Sequence, residues 1–194
     1  PLSGPAGLAA KQFHDFPSGA PGTAEETRQY VPAVVGSNGR VFVPRRAPGS
    51  STQLYVLELS AAEPAWKLCG PALAGNVQPY ALAITPRGLL VAGTTANQVC
   101  AWNPERNEAV WTKDVGSSVW ALAASNDGRI YCSTHQRLSV LDGDGETAFK
   151  FESFGIQDLQ APAAVAPDGS YLVVARAGMA IWFSRSGEIL KGPI

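Results

Sequence analysis

The chain has 194 residues, 45% of them hydrophobic and 16% charged, with 15 basic against 16 acidic side chains and a formal net charge of −1. That length suits one domain large enough to bury its own core. The near-neutral balance gives no electrostatic case for nucleic acid or for an anionic membrane surface. The longest apolar runs, such as Ala81-Leu82-Ala83-Ile84, have the length of a strand and do not span a bilayer.

Residues 1–30 differ in texture from the rest. Pro1 to Ala10 is rich in Pro, Gly and Ala, and Lys11-Gln12-Phe13-His14 reads as an outer strand whose own sheet lies upstream. Pro17 to Thr27 is a polar loop with a short helical turn expected at Ala24-Glu25-Glu26-Thr27. The chain opens on Pro, not Met, and carries no signal peptide, which reads as a processed chain or an excised piece.

From residue 31 onward the chain repeats itself. Ala121-Leu122-Ala123-Ala124 runs into the turn Ser125-Asn126-Asp127-Gly128, and Arg129-Ile130-Tyr131-Cys132 leaves it. Asn, Asp and Gly tolerate left-handed backbone angles, so this is a hairpin with a physical cause. Thr134 to Arg137 connects to Leu138-Ser139-Val140-Leu141, and the turn Asp142-Gly143-Asp144-Gly145 leads to a fourth strand ending at Phe151. Turns of the first kind recur at Gly39, Gly88, Gly128 and Gly169, spaced 49, 40 and 41 residues apart. Trp66, Trp111, Phe149 and Leu190 form a second marker, at spacings of 45, 38 and 41. Four four-stranded units are therefore expected at 31–68, 80–115, 120–151 and 162–194. Pro44 to Thr52 is a loop insertion in the first. Four short strands per repeat of about forty residues is the size of one β-propeller blade.

The units resemble the repeats of pyrroloquinoline-quinone-like (PQQ-like) propellers, of the quinoprotein alcohol dehydrogenase kind. The residues that carry the resemblance are Val56-Leu57-Glu58 leading to Trp66, Ala101-Trp102-Asn103 to Trp111, and Val140-Leu141-Asp142 to Phe149. Ile181-Trp182-Phe183 leads to Leu190 and departs from the pattern at the acidic position and at the Trp. The match covers about residues 30–194 and is degenerate. WD-repeat propellers are the neighbouring family, but no Trp-Asp pair closes a third strand. The resemblance implies an all-β propeller of four-stranded antiparallel blades. Such a propeller must close, so four blades form either a small ring or part of a larger one, and the part is favoured. An outer strand at Phe13 and a final strand at Glu188 to Lys191 then leave open ends where partners attach.

Nothing in the pattern points to catalysis. His14 and His135, the two histidines, lie in different units without carboxylate or Cys at ligand spacing, so metal and triad chemistry have no basis. Asp142-x-Asp144-Gly145-Glu146 has the look of a short calcium loop. Asp side chains capping a tight turn explain it better. No nucleophile elbow, phosphate loop or dinucleotide fingerprint is present, and no cofactor is expected. Cys69, Cys100 and Cys132 are widely spaced and read as small core residues, their reduced state pointing to an intracellular setting.

Binding is the stronger reading. In a propeller the first turns, short and alike here, lie on one face with the third turns, while the variable connections gather on the other. That variable face is expected to hold Arg45 and Arg46 of the insertion, Thr95 and Asn97, His135 and Arg137, and Arg176. Eight residues ahead of the turn glycines stand Val31, Tyr80, Trp120 and Ala161, which places Tyr80 and Trp120 at the channel mouth. Aromatics near Arg make a recognition hot spot, or else they plug the channel. The partner is then a protein, or other segments of a larger parent chain, with no nucleic acid and no membrane insertion. The alternative is a small molecule, a carbohydrate or a quinoprotein-type ligand at the channel mouth. On the architecture, circular dichroism is expected to show almost no helix, and a helical content above about a fifth would be incompatible with it.

Overall fold

A computed structural model of the chain describes residues 33–36, 39–47, 51–59, 61, 66–135, 137–152, 159, 161–175 and 178–193. The expectations for residues 1–30, including the strand at Phe13, lie outside the described residues, as does Arg176. What is described is all β, with no helix and hence none long and apolar enough to cross a membrane. Unit one comprises β1 (Val34–Val35), β2 (Arg40–Ala47), β3 (Ser51–Glu58) and β4 (Trp66–Ala74). Unit two is β5 (Val77–Ile84), β6 (Leu90–Thr94), β7 (Gln98–Asn103) and β8 (Glu108–Asp114). Unit three is β9 (Val119–Ala124), β10 (Ile130–Thr134), β11 (Arg137–Leu141) and β12 (Thr147–Glu152). Unit four is β13 (Ala164–Val165), β14 (Tyr171–Val174), β15 (Ala180–Phe183) and β16 (Ile189–Lys191).

Within each unit the strands pair antiparallel in chain order. Units two and three join into one eight-stranded sheet, because β5 and β9 lie side by side and parallel, with Tyr80 opposite Ala121. Strand pairing does not close the sheets into a ring. The first turns hold their strands together in one way. Gly128 N–H donates to Ser125 O at 3.0 Å with Gly128 at φ +87°, and Gly39, Gly88 and Gly169 repeat the bond and the left-handed angle. This is the three-residue hairpin loop in which a left-handed glycine follows a tight turn. The second strands β6 and β10 are buried along their whole length, so apolar LVAGT and IYCST are covered on both faces.

Three apolar clusters weld the units in series. Phe42 and Leu54 of unit one meet Leu82, Leu90 and Trp102 of unit two. Val91, Val99 and Ala101 of unit two meet Leu122, Ile130 and Cys132 of unit three. Tyr131, Leu138 and Val140 of unit three meet Tyr171, Val173, Ile181 and Phe183 of unit four, where the Tyr171 and Phe183 rings stack at 5.0 Å. At full burial such side chains contribute about 1.5–3 kcal/mol each.

The outer edges of the second and third junctions follow a rule. Trp111 of unit two lies over Gly145 in the third turn of unit three, and its Nε1–H donates to Gly143 O at 3.0 Å. Phe149 of unit three lies over Gly187 in the third turn of unit four. A Cβ at Gly145 would come within 2.7 Å of the Trp111 ring, and one at Gly187 within 2.5 Å of Phe149. Charged side chains cross the same seams. Arg40 reaches Glu105, Lys113 reaches Glu146 at 3.2 Å, Arg129 donates to Arg185 O, and Arg185 pairs with Asp127 at 2.8 Å.

Trp66, Trp111 and Phe149 are half-buried, because outer strands leave one ring edge to water. Two expectations need correction. Trp66 and Leu190 are out of register with Trp111 and Phe149. Trp111 pairs with Ala101 and Phe149 with Val140, whereas the corresponding partners of Val56 and Trp182 are Lys67 and Lys191. Leu190 sits at a bulge, as Val110 does in unit two, and is 59% exposed. The first junction, where Lys67 replaces the aromatic, retains a cavity of about 230 Å³ between β4 and β7–β8. Finally, Pro44 to Thr52 is mostly strand: Arg45 pairs with Gln53 and Arg46 with Thr52, which extends the β2–β3 hairpin. Alternation of the ladder continues through the Pro because Pro44 needs only to accept.

Trp111→Ala is expected to lower stability by about 2–3 kcal/mol in urea unfolding, less than a fully enclosed Trp would cost. Gly145→Ala should cost at least about 1 kcal/mol, since its φ of +84° and the ring above it both oppose a methyl group. A change below about 0.5 kcal/mol in both would mean that the seam does not hold the units.

Candidate functional site

The connections between units and the second turns share one side of the molecule, tied by hydrogen bonds. Thr52 Oγ1 donates to Gly75 O at 2.9 Å, Asn76 N–H to Thr95 Oγ1 at 2.9 Å, Thr95 N–H to Asn76 O at 2.8 Å, and Ser118 Oγ to Thr95 O at 3.0 Å. Val115 N–H closes the set on Asn97 O at 2.8 Å. A run of Thr, Asn and Ser thus binds three consecutive connections into one rim. The opposite rim carries the first and third turns with their crossing charges. There the Asp127 carboxyl is held below its ordinary range by the Ser125 hydroxyl first, then by the Arg129 N–H and the Arg185 and Arg129 guanidinium groups.

The residues singled out in the sequence fall at different places on the connection rim. Tyr80, in β5, is 60% exposed, the largest aromatic surface offered to water by the described residues. Trp120 in β9 is half-buried and is the extra residue at a register shift, between Val119, which pairs with Thr134, and Ala121, which pairs with Ser133 and faces Tyr80. The two aromatics make no ring contact with each other. Asn97 stands at φ +65° in the β6–β7 turn and serves that turn. His135 is exposed in the β10–β11 turn. Arg137 is committed to structure: its Nη2 pairs with Glu152 at 2.7 Å and its backbone brackets Thr134 Oγ1. Arg45 is half-buried on β2, and Arg46 is in the same strand.

Sequence reasoning passed over the hydroxyl-rich rim itself. Its signal was a Thr or Ser at or beside each connection: Thr52, Thr95 and Ser118. Chemistry of other kinds has little material here. Among the described residues no three His, Cys, Asp or Glu side chains gather as a metal site. Burial raises the Cys69 and Cys100 thiols, against hydrogen bonds from Trp102 and Thr112 respectively, and pushes Cys132 up to about 12. Protonated thiols are poor nucleophiles. Comparison with known proteins gives no matching family model and no matching curated protein.

Iodoacetamide near pH 8 is expected to leave Cys132 unlabelled in the native chain and to label it after unfolding in urea. The pH sign follows from the raised thiol. The unfolded group ionises around its ordinary 9.0 and the folded one only near 12, so Cys132's contribution is complete below the first value and is lost as pH rises above it. Labelling of native Cys132 would show that the junction between units two and three opens readily.

Proposed function

We propose that the four units are blades of a PQQ-like β-propeller and that the chain is a non-catalytic scaffold that binds protein through its connection rim. The observation that carries the architectural half is the β5–β9 pair. Two neighbouring units place their first strands side by side and parallel, as blades do around a common axis, and their last strands, β8 and β12, at the two outer edges of the joint sheet. The binding half is supported by Tyr80, a rigid amphipathic side chain exposed on a rim that hydrogen bonds hold in place. Large aromatics of this kind anchor protein interfaces with little loss of conformational freedom. Burial keeps the thiols protonated, and among the described residues no three His, Cys, Asp or Glu side chains gather, so a binding role uses what the described residues offer.

A photoreactive phenylalanine in place of Tyr80 is expected to form covalent adducts with discrete protein species in cells, and the same group at Asp144 on the opposite rim is not. Tyr80→Ala, at an exposed position, should leave the unfolding midpoint nearly unchanged while abolishing the interaction so identified. Equal labelling at both positions would overturn the platform reading. A rise of several degrees in melting temperature with pyrroloquinoline quinone or a neutral sugar would favour ligand binding at the channel mouth instead.

A further inference from the structure

The same strand positions build the first and third junctions, but they are not filled alike. In unit three the outer-strand residues that face unit four are Phe149, paired with Val140, and Phe151, paired with Leu138. Both rings close on Phe183, at centroid distances of 6.3 and 5.0 Å. The matching positions of unit one, opposite Val56 and Leu54, hold Lys67 and Cys69. Lys67 is exposed and reaches back to Glu58 of its own unit at 3.9 Å, so it leaves the seam instead of filling it. Cys69 is buried and lacks the ring that Phe151 supplies.

Unit two makes up only part of the difference. Trp102 stands where unit four has Phe183, and it is buried with its ring over Gly70 of unit one. A Cβ at Gly70 would come within 2.9 Å of that ring, and so close a fit holds the indole in place.

The space left over is the cavity of about 230 Å³ between β4 and β7–β8. Its floor is Leu54, Leu73, Ala92 and Trp102, all buried, and Ala72 and Ala109 stand exposed at its mouth. Every lining residue belongs to units one and two and is described. No lining side chain is charged at neutral pH, since Cys100 alone titrates and burial keeps its thiol protonated. Gln98 and Thr112 add one amide and one hydroxyl to the lining. Apolar cavities of about 150 Å³ stay dry and admit a benzene-sized guest. This one has room for a fused pair of rings and falls below the roughly 300–1,000 Å³ that larger ligands occupy. The third junction shows what fills such a space in this fold, aromatic rings packed edge-on against a ring of the next unit.

We propose that the first junction binds a neutral aromatic molecule of one or two fused rings, seated against Trp102 where unit three supplies its own phenylalanines. A carboxylate or ammonium group on the guest would lose its water and find no opposite charge, so charged aromatics are rejected. The guest touches both units, and its binding stabilises their junction. Tyr80 does not line the cavity, so the site stands apart from the reading of that rim.

Calorimetric titration of the full chain with indole is expected to show one saturable site with a Kd of about 0.1–1 mM. At ten times that concentration indole should raise the melting temperature by about 3 °C. The same concentration should slow N-ethylmaleimide modification of Cys100, read by peptide mass, about tenfold, in proportion to the sites left empty. Indole-3-acetate should bind at least about tenfold more weakly. Ala109→Phe, at the exposed mouth, should fill the cavity, abolish binding and leave the unliganded melting temperature nearly unchanged. Cys69→Phe restores the ring of the third junction and is the second blocking variant, should Ala109→Phe fail to fold. No saturable binding of indole, binding that persists in either folded variant, or Cys100 modified equally fast with and without indole would overturn the proposal. Photoadducts at Tyr80 should be unchanged by indole, so failure here and failure of the platform reading give different results.

Discussion

A ring resting on a residue with no side chain is the contact on which the arrangement of units depends. Trp111 over Gly145 and Phe149 over Gly187 bring an outer strand against the neighbouring turn at van der Waals distance. Any Cβ would hold it off by an ångström or more. The glycines serve a second purpose at once, since their positive φ is what tightens the turn. One residue type therefore sets both the local hairpin and the angle at which sheets meet, and the apolar clusters inside fill whatever space that angle defines. At the first junction ring and glycine change sides, Trp102 of unit two lying over Gly70 of unit one, and a cavity remains beside Trp102.

Much of this was legible in the chain because it is local. A left-handed position needs Gly, Asn or Asp whatever the tertiary context, so Gly39, Gly88, Gly128 and Gly169 marked the first turns correctly. The run Arg129-Ile130-Tyr131-Cys132 marked a second strand, and the structure covers that strand and its counterpart in unit two along their whole length. Outer-strand register was less legible. Leu172 pairs with Trp182 ten residues on, whereas Tyr131 pairs with Val140 nine residues on, so one extra residue in the second turn of unit four made Leu190 look like the counterpart of Phe149 when Lys191 is. Trp66 misled because it pairs with Leu57 with no bulge at that point, which leaves Lys67 facing Val56.

The candidate site was harder still. Counting back from the turn glycine put Tyr80 and Trp120 at matching places, but the parallel bridge sets Tyr80 against Ala121, one residue on from Trp120, which sits at a register shift. Arg137 looked available for a partner and is instead tied to Glu152 across its own hairpin. Arg45 and Arg46 looked like a loop because Pro44 precedes them, yet a Pro that only accepts can sit in a ladder. Side-chain orientation depends on pairing partners far away in sequence, and a single chain does not display those.

Unit four is built from strands of two, four, four and three residues, whereas β2, β3 and β4 of unit one run to eight or nine. In a linear stack each unit is stabilised by its own ladder and by its nearest neighbours. The short ladder leaves unit four with the fewest amide bonds to break among the described units. Opening therefore has a direction: amide protons of β14 to β16 exchange with solvent through partial excursions that leave units two and three intact, and a degradative protease meets this end first.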